Sequence, residues 1–297
     1  MLLRSMPPDA AFPAAPRLGK SPVRPTHTSR PSLRLAPGSP QSARRALIEE
    51  TPVAVVFDGA TQAVLMTSPS DLEDFAVGFA LSEGIITDAT QLREIEIVPQ
   101  EAAGGGIEAR VWLEQDRSAA LTARRRSGIG PVGCGLCGIE SLEAAMRPLP
   151  PVPFRPLGLG AEEVLAAPDL LREGQALHAA TRAAHAAGFY LPGRGMLCLR
   201  EDVGRHNALD KLLGALLRQG IDPGAGAIVM TSRLSVELVQ KTAIAGCGCL
   251  IGISAPSAHA LRLAERAGIT LIGSARNGAA DVFSHPDRLT LAVAQSA

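Results

Sequence analysis

From residue 162 to residue 273 the chain repeats one local pattern. A short, continuously apolar run is followed by a longer segment with helical spacing, and a glycine closes it. The apolar runs fall at 196–200, 227–230, 249–253 and 269–273. The helical segments fall at 207–218, 234–245 and 258–267, closed by Gly220, Gly246 and Gly268. An earlier helical stretch, 162–178, is expected to break near Pro168. Strands that are apolar on both sides must be covered on both faces, so this region predicts an α/β fold with a buried, largely parallel sheet and helices on both faces.

The first half reads differently. Apolar runs at 53–57 and 63–67 flank Asp58-Gly59, a turn signal. Ser70-Asp71-Leu72-Glu73 has the form of a capping box, with Ser70 as N-cap, and predicts a helix over 71–83 closed by Gly84. Strands are expected at 94–98 and 107–113, around Gly104-Gly105-Gly106. This half is a smaller α+β part. The division that follows is a disordered basic arm at 1–45, an α+β part at 46–147, a proline-rich linker at 148–160 and an α/β domain at 161–297. The arm holds nine prolines, eight Lys or Arg and one acid, Asp9. Arg and Ser with few acids also suit an organelle transit peptide, but nine prolines disfavour the amphipathic helix such a peptide needs.

Charge and cysteine use narrow the function. The arm carries a net +7 in a chain whose total is zero, so the remainder sums to −7. A mildly acidic body with 3% aromatic residues lacks the basic footprint and stacking platforms of a nucleic-acid binder. No secretory segment opens the chain and no apolar run is long enough to span a membrane. Five cysteines, an odd count, fit a reducing cytoplasmic setting where thiols stay free.

The chemistry concentrates in Gly133-Cys134-Gly135-Leu136-Cys137-Gly138, in a basic, glycine-rich loop expected over 122–138, with a short helix at 139–146 after it. Arg124, Arg125 and Arg126 precede the pair. Positive charge and a following helix N-terminus both favour the thiolate, the form that accepts sulfane sulfur. The competing reading of the same spacing is a zinc half-site completed by Cys247 and Cys249. Those two, at a helix end entering an apolar strand, read on their own as buried core residues, as does Cys198. Three strand ends deliver polar loops to helix starts: 201–207, with Arg205 and His206, then 231–233 and 254–257. That placement suits a nucleotide-bearing ligand, although ordinary N-capping explains any single loop. Lys241, mid-helix, reads as a residue of a solvated face.

Several blocks together resemble one family. Glu201-Asp202-Val203-Gly204-Arg205-His206-Asn207-Ala208-Leu209-Asp210-Lys211 is similar to the signature of the FdhD-type formate dehydrogenase accessory sulfurtransferases, as is Cys134-Gly135-Leu136-Cys137-Gly138. The blocks 81–86, 237–241, 254–256 and 267–273 agree, so the resemblance covers about 46–290. It implies a cytidine-deaminase-like fold and a homodimer. It further implies a persulfide taken from a cysteine desulfurase, carried on Cys134 with Cys137 beside it, and passed to the molybdenum bis-guanine-dinucleotide cofactor that serves formate dehydrogenase. That cofactor enters as a substrate, with no permanently bound metal. Its guanine contact is implied at Ser274, Ala275, Arg276, Asn277, Gly278 and Ala279, with Arg205 and His206 contributing from the signature. The chain departs from the family where the loop opens on Ser274 instead of Phe, and where Ala279 stands in place of a second Arg.

Two neighbouring chemistries are separable. A zinc deaminase needs His-x-Glu ahead of its paired cysteines, and no histidine lies between His27 and Cys134. The alternative from another class is a non-enzymatic chaperone that binds the molybdenum cofactor, its cysteines structural or zinc-binding.

Overall fold

The structure, a computed structural model, describes residues 24–35, 37, 39–100, 105–126 and 149–291. Two sheets carry the architecture. The N-terminal sheet has the order β4-β3-β6-β5, with β3 at Thr51–Phe57, β4 at Ala60–Thr67, β5 at Leu92–Gln100 and β6 at Gly106–Leu113. The Asp58-Gly59 turn forms as expected, both residues at positive φ. The larger sheet has the order β13-β12-β11-β10-β8-β9. Its strands are β8 (His185–Leu191), β9 (Gly195–Asp202), β10 (Ala227–Met230), β11 (Cys249–Gly252), β12 (Thr270–Arg276) and β13 (Ala279–Ser284).

The expected strand–helix repeat is present: helix α5 (Arg205–Arg218) joins β9 to β10, α6 (Val236–Ile244) joins β10 to β11, and α7 (Ala258–Ala267) joins β11 to β12. The sheet is mixed, however, and not largely parallel. The β10–β11 and β11–β12 pairs are parallel, whereas β8–β9, β8–β10 and β12–β13 are antiparallel. Strands β8 and β13 have no counterpart in the sequence expectation. Ala- and Gly-rich β8 has a weak intrinsic strand preference, and only its position between β9 and β10 makes it one. Side chains alternate across the sheet. Ile228 and Met230 join the core that holds Phe189, Leu250 and Leu271, while Ala227 and Val229 join a second core with Cys249, Ile251 and Ile272. The first lies under α5, α6 and α7, and the second under α3 (Ala161–Glu173).

Helix α3 runs through Pro168 without breaking, and the interruption falls at Gly174-Gln175, before α4 (Ala176–Thr181). Burial of Val164, Ala167 and Leu171 on the second core outweighs the helix penalty of the proline, about 3 kcal/mol. Helix α2 spans Gln115–Arg126, so the segment expected to be a loop from 122 is helical at its start. Alanine and arginine are good helix formers, and no glycine or proline intervenes before Gly128.

Helix α1 (Leu72–Ser82) joins the two halves. It packs on the N-terminal sheet through Leu72, Phe75 and Phe79 and crosses α5 on its other side. Gly78 and Gly214 make this crossing possible. A Cβ on Gly78 would sit 1.7 Å from the Asp210 carbonyl oxygen, and one on Gly214 would sit 1.9 Å from that of Asp74. The two halves therefore share one continuous core. The capping box does not form. Asp71, not Ser70, is the N-cap, held at φ 52° with no side-chain capping bond. Glu73, which would reach back, pairs instead with Arg218 at 2.7 Å, and Asp74 takes both Arg200 and Arg218. Gly84 closes the helix at φ 68°, as expected.

The stretch expected as a linker is docked rather than loose. Val152 N donates to Ala267 O, Leu157 N to Arg288 O, and Leu159–Gly160 (β7) pairs with Leu289–Thr290 (β14). Buried Arg288 donates to the carbonyls of Val152, Pro153, Arg155 and Gly268. Order also begins earlier than residue 46. Strands β1 (His27–Arg34) and β2 (Gln41–Ile48) form an antiparallel ribbon within the segment expected to be a disordered arm. Its physical basis is backbone pairing, since no residue of either strand is buried.

Candidate functional site

Cys134 and Cys137 lie outside the described residues, as does the helix expected at 139–146. The remaining three thiols are placed. Cys198, Cys247 and Cys249 are free and buried, and burial pushes each thiol above its ordinary pKa, Cys247 to about 11. They are protonated, inert core residues, as their sequence positions predicted. Cys247 packs into the core beneath the helices α5–α7, whereas Cys249 points into the core beneath α3. Thiols that face opposite cores cannot converge on a metal, so the zinc reading loses its second pair. Among the described residues no His, Cys, Asp and Glu cluster suits a metal ion.

The eleven-residue block from Glu201 to Lys211 turns the chain from β9 into α5, and its polar side chains point inward. Asp202 and Lys211 are fully buried and pair at 2.7 Å. Asp202 also accepts from the backbone of Ser68 and Gly204 and from Asn207 Nδ2, and Lys211 donates to Ser68 O. Val203 N donates to Ser68 Oγ, and Asn207 Nδ2 to Met66 O. A second pair starts from the adjacent residue, where Lys241 Nζ sits 2.8 Å from both carboxylate oxygens of Asp210 and Ser82 Oγ joins them. Lys241 is thus 9% exposed and ion-paired, not part of a solvated face. Buried ions need partners with good geometry, and here each is met by several hydrogen bonds. The block is a clamp between the two halves. The sequence signal for it was a lysine in each of two otherwise apolar helix faces, with an acid one residue before Lys211.

What the clamp presents is the edge where β9, β10, β11 and β12 all end. Arg205 and His206 open α5, and Ser235 and Glu237 open α6. His206 is 93% buried by its 7% exposure, and its Nε2 stands 3.8 Å from Glu237 Oε2. That distance is beyond hydrogen-bond range, and Nε2 has no hydrogen-bond partner among the described residues. The neighbouring imidazole, with Ser235, holds the Glu237 carboxyl down at about 2 against the opposing effect of burial. His185, at the start of β8, faces the same edge. Burial first, then the charge of Arg205, lowers its pKa. Glu237 was not a candidate from sequence, because its proximity to His206 depends on strand order.

Residues Ser274–Ala279 form the tip of the β12–β13 hairpin, not a loop after a last strand. Asn277 (φ 54°) and Gly278 (φ 73°) make a two-residue turn of the type that asparagine-glycine favours, with Arg276 opposite Ala279. Arg276, Asn277, Gly278 and Ala279 are exposed, Ser274 is half-buried and Ala275 is buried. The tip sits at the same sheet edge as Arg205 and His206. Four strand steps separate β12 from β9, which is about 19 Å at ~4.8 Å per step. The structure brings Arg205 and His206 together and leaves the hairpin tip apart from them.

Fold and site define a class: a mixed α/β protein with two main sheets, joined by buried Lys–Asp pairs, with a polar rim at the carboxyl ends of the strands and no reactive thiol among the described residues. The model of the FdhD/NarQ family matches residues 48–290. Sulfur carrier protein FdhD of Agrobacterium fabrum is 50% identical over 257 residues, covering 86% of this chain and 94% of that one. The Bordetella petrii protein of the same name is 47% identical over 244 residues, covering 82% and 86%. A crystal structure from Desulfotalea psychrophila, provisionally assigned as a formate dehydrogenase accessory protein, superposes with a TM-score of 0.71 at 27% identity, over 90% of this chain and 100% of that one. The chain belongs to the FdhD/NarQ family.

Proposed function

We propose that the chain is a sulfur carrier in formate dehydrogenase maturation, with Cys134 as the persulfide-bearing residue. In this reading the Cys134 thiolate attacks the terminal sulfur of a persulfide on a cysteine desulfurase. The donor's S–S bond breaks and its cysteine leaves as a thiolate, so no outside oxidant is required. The sulfur is then handed to the molybdenum bis-guanine-dinucleotide cofactor, the substrate of the transfer. The observation that carries the reading is the state of the other thiols. Three of the five cysteines are buried and protonated in a chain whose relatives are named sulfur carriers, and only Cys134 and Cys137 remain for that work.

Arg205 and His206 at one end of the sheet edge, and Ser274–Ala279 at the other, are the proposed cofactor contacts. A ligand that reaches both must be extended, as a bis-dinucleotide is. A cytidine-deaminase-like description of the larger sheet, a homodimer and a cytoplasmic site of action belong to the same proposal. Among the described residues no helix is long and apolar enough to cross a membrane.

Intact mass spectrometry after incubation with a cysteine desulfurase and cysteine tests the reading. The native chain gains the mass of one sulfur atom, and Cys134→Ala does not. A strain whose only copy is Cys134→Ala loses formate dehydrogenase activity. No mass gain in the native chain, with activity intact in the variant strain, would leave a cofactor-delivery chaperone as the better account.

A further inference from the structure

The rim at the carboxyl ends of the strands has a middle that the contacts proposed above leave unused. Arg205 stands beyond β9 and Arg276 at the tip beyond β12, and between them Thr231-Ser232-Arg233-Leu234-Ser235 follows β10. Strand β10 lies two places from β9 and two from β12. The three arginines therefore rise from points about 10 Å apart along one edge.

Arg233 is exposed between two buried residues, Ser232 and Leu234, on a loop fastened from both sides. Toward β8, Thr231 N donates to Ala186 O at 3.1 Å and Ala186 N to Thr231 Oγ1 at 2.9 Å. Toward β11, Ser257 N donates to Leu234 O at 3.0 Å, and Leu234 forms a parallel bridge with Pro256. Ser274 N donates to Ser254 O, which ties the base of the hairpin tip into the same lacing. A side chain on a fixed loop has only its own rotamers to order when it binds.

The charge of this edge is not answered within the chain. Arg110, Arg155, Arg172, Arg200 and Arg218 each pair with a carboxylate, whereas no ion pair reaches Arg205, Arg233 or Arg276 among the described residues. The acids of the strand-end loops and helix starts are already engaged. Glu201 accepts from Leu177 N and His178 N, Asp202 pairs with Lys211, and Glu237 faces His206. Asp281, exposed on β13 opposite Gly273, is outweighed by the three arginines. Helices α5, α6 and α7 all begin at this edge and add the positive ends of their dipoles. Arg205 also bears on its neighbour along the row: after burial, its charge is the largest cause lowering the pKa of His185.

We propose that Arg233 is a third phosphate contact, midway along a row from Arg205 to Arg276 that takes a ligand carrying several phosphate groups. Its guanidinium offers a planar fork of donors matched to phosphate oxygens. The inference rests on the reading of this rim as the cofactor site. It names what the rim recognises, which is a phosphate chain laid along the strand ends and not a guanine at the hairpin tip alone.

Titration calorimetry on the full chain tests this with diguanosine tetraphosphate, guanosine monophosphate and inorganic pyrophosphate. The dinucleotide should bind at least about tenfold tighter than either short probe, because only it spans more than one arginine of the row. Arg233→Ala should weaken the dinucleotide at least about tenfold, the loss expected of a charge-assisted hydrogen bond. Arg233→Lys should recover part of that loss, since it keeps the charge without the fork. Arg266→Ala removes the same charge from the last turn of α7, at the opposite edge, and should change affinity by less than about twofold. Unchanged binding in Arg233→Ala while Arg205→Ala and Arg276→Ala both weaken it would overturn the role of Arg233 and leave the site reading intact. So would an equal loss in Arg266→Ala, or pyrophosphate binding as tightly as the dinucleotide. A native chain that binds none of the probes, or binds them indifferently to all three rim variants, would overturn the site reading and this inference with it.

Discussion

At the residue scale the best-defined charge is Glu237. Its carboxyl is brought from an ordinary 4.5 to about 2, chiefly by His206 and against burial. A carboxyl whose folded pKa is depressed adds stability that is fully present above its unfolded pKa. That stability fades as pH falls through 4.5 and is gone below about 2. Glu237→Gln should therefore lower the urea midpoint at pH 6 and lose its effect near pH 2. Midpoints of both proteins across that range check this, and a gap that stays constant with pH would contradict it. The group is half-shielded, so the effect is modest. His206 itself was legible in the sequence as part of a polar loop at a helix start. Its partner was not, because α6 reaches it only through the order of β9, β8 and β10 in the sheet.

At the element scale, two glycines of helix α1 and its end separate close approach from backbone freedom. Gly84 sits at φ 68° with open space around its missing side chain, so Gly84→Ala meets only the left-handed penalty of about 1–2 kcal/mol. Gly78 is helical, and a methyl group there meets the Asp210 carbonyl at 1.7 Å. Backbone cannot yield as a side-chain end can, so Gly78→Ala should cost about 3 kcal/mol or more. Thermal melts of the two variants should show the Gly78 change as clearly the larger. The glycine at 84 was readable from its place after a helical stretch. The demand at 78 was not, since it arises from a helix more than a hundred residues away.

For the whole molecule, the decisive interaction is the buried pairing that ties the halves. Lys211 pairs with Asp202 and donates to Ser68 O, so it joins α5 to the connection between β4 and α1. Lys211→Met leaves Asp202 as an uncompensated buried charge and should cost about 3–5 kcal/mol in chemical denaturation. Adding Asp202→Asn removes the stranded charge and should recover part of that loss. A double variant no more stable than the single one would show that the hydrogen bonds of Asp202, not its charge, dominate. The same body of the fold holds the described part of the expected linker, residues 149–160. Arg288 fastens that stretch to the last elements, and α1 is buried between the N-terminal sheet and α5.

The sequence by itself determined what local physics controls. Apolar continuity marked β10 and β11 to within a residue, helical spacing marked α7 exactly as found, and glycines at positive φ ended α1, α5, α6 and α7. Burial of the cysteines at 198, 247 and 249 followed from the apolar strands around them. Only the tertiary structure decided the rest. The antiparallel course of β8 and β13, the pairing of Lys211 and Lys241 with aspartates and the meeting of His206 with Glu237 all depend on which distant elements become neighbours. A residue's neighbours across a sheet or a helix crossing are set by packing of the whole core, and no window of local sequence contains them.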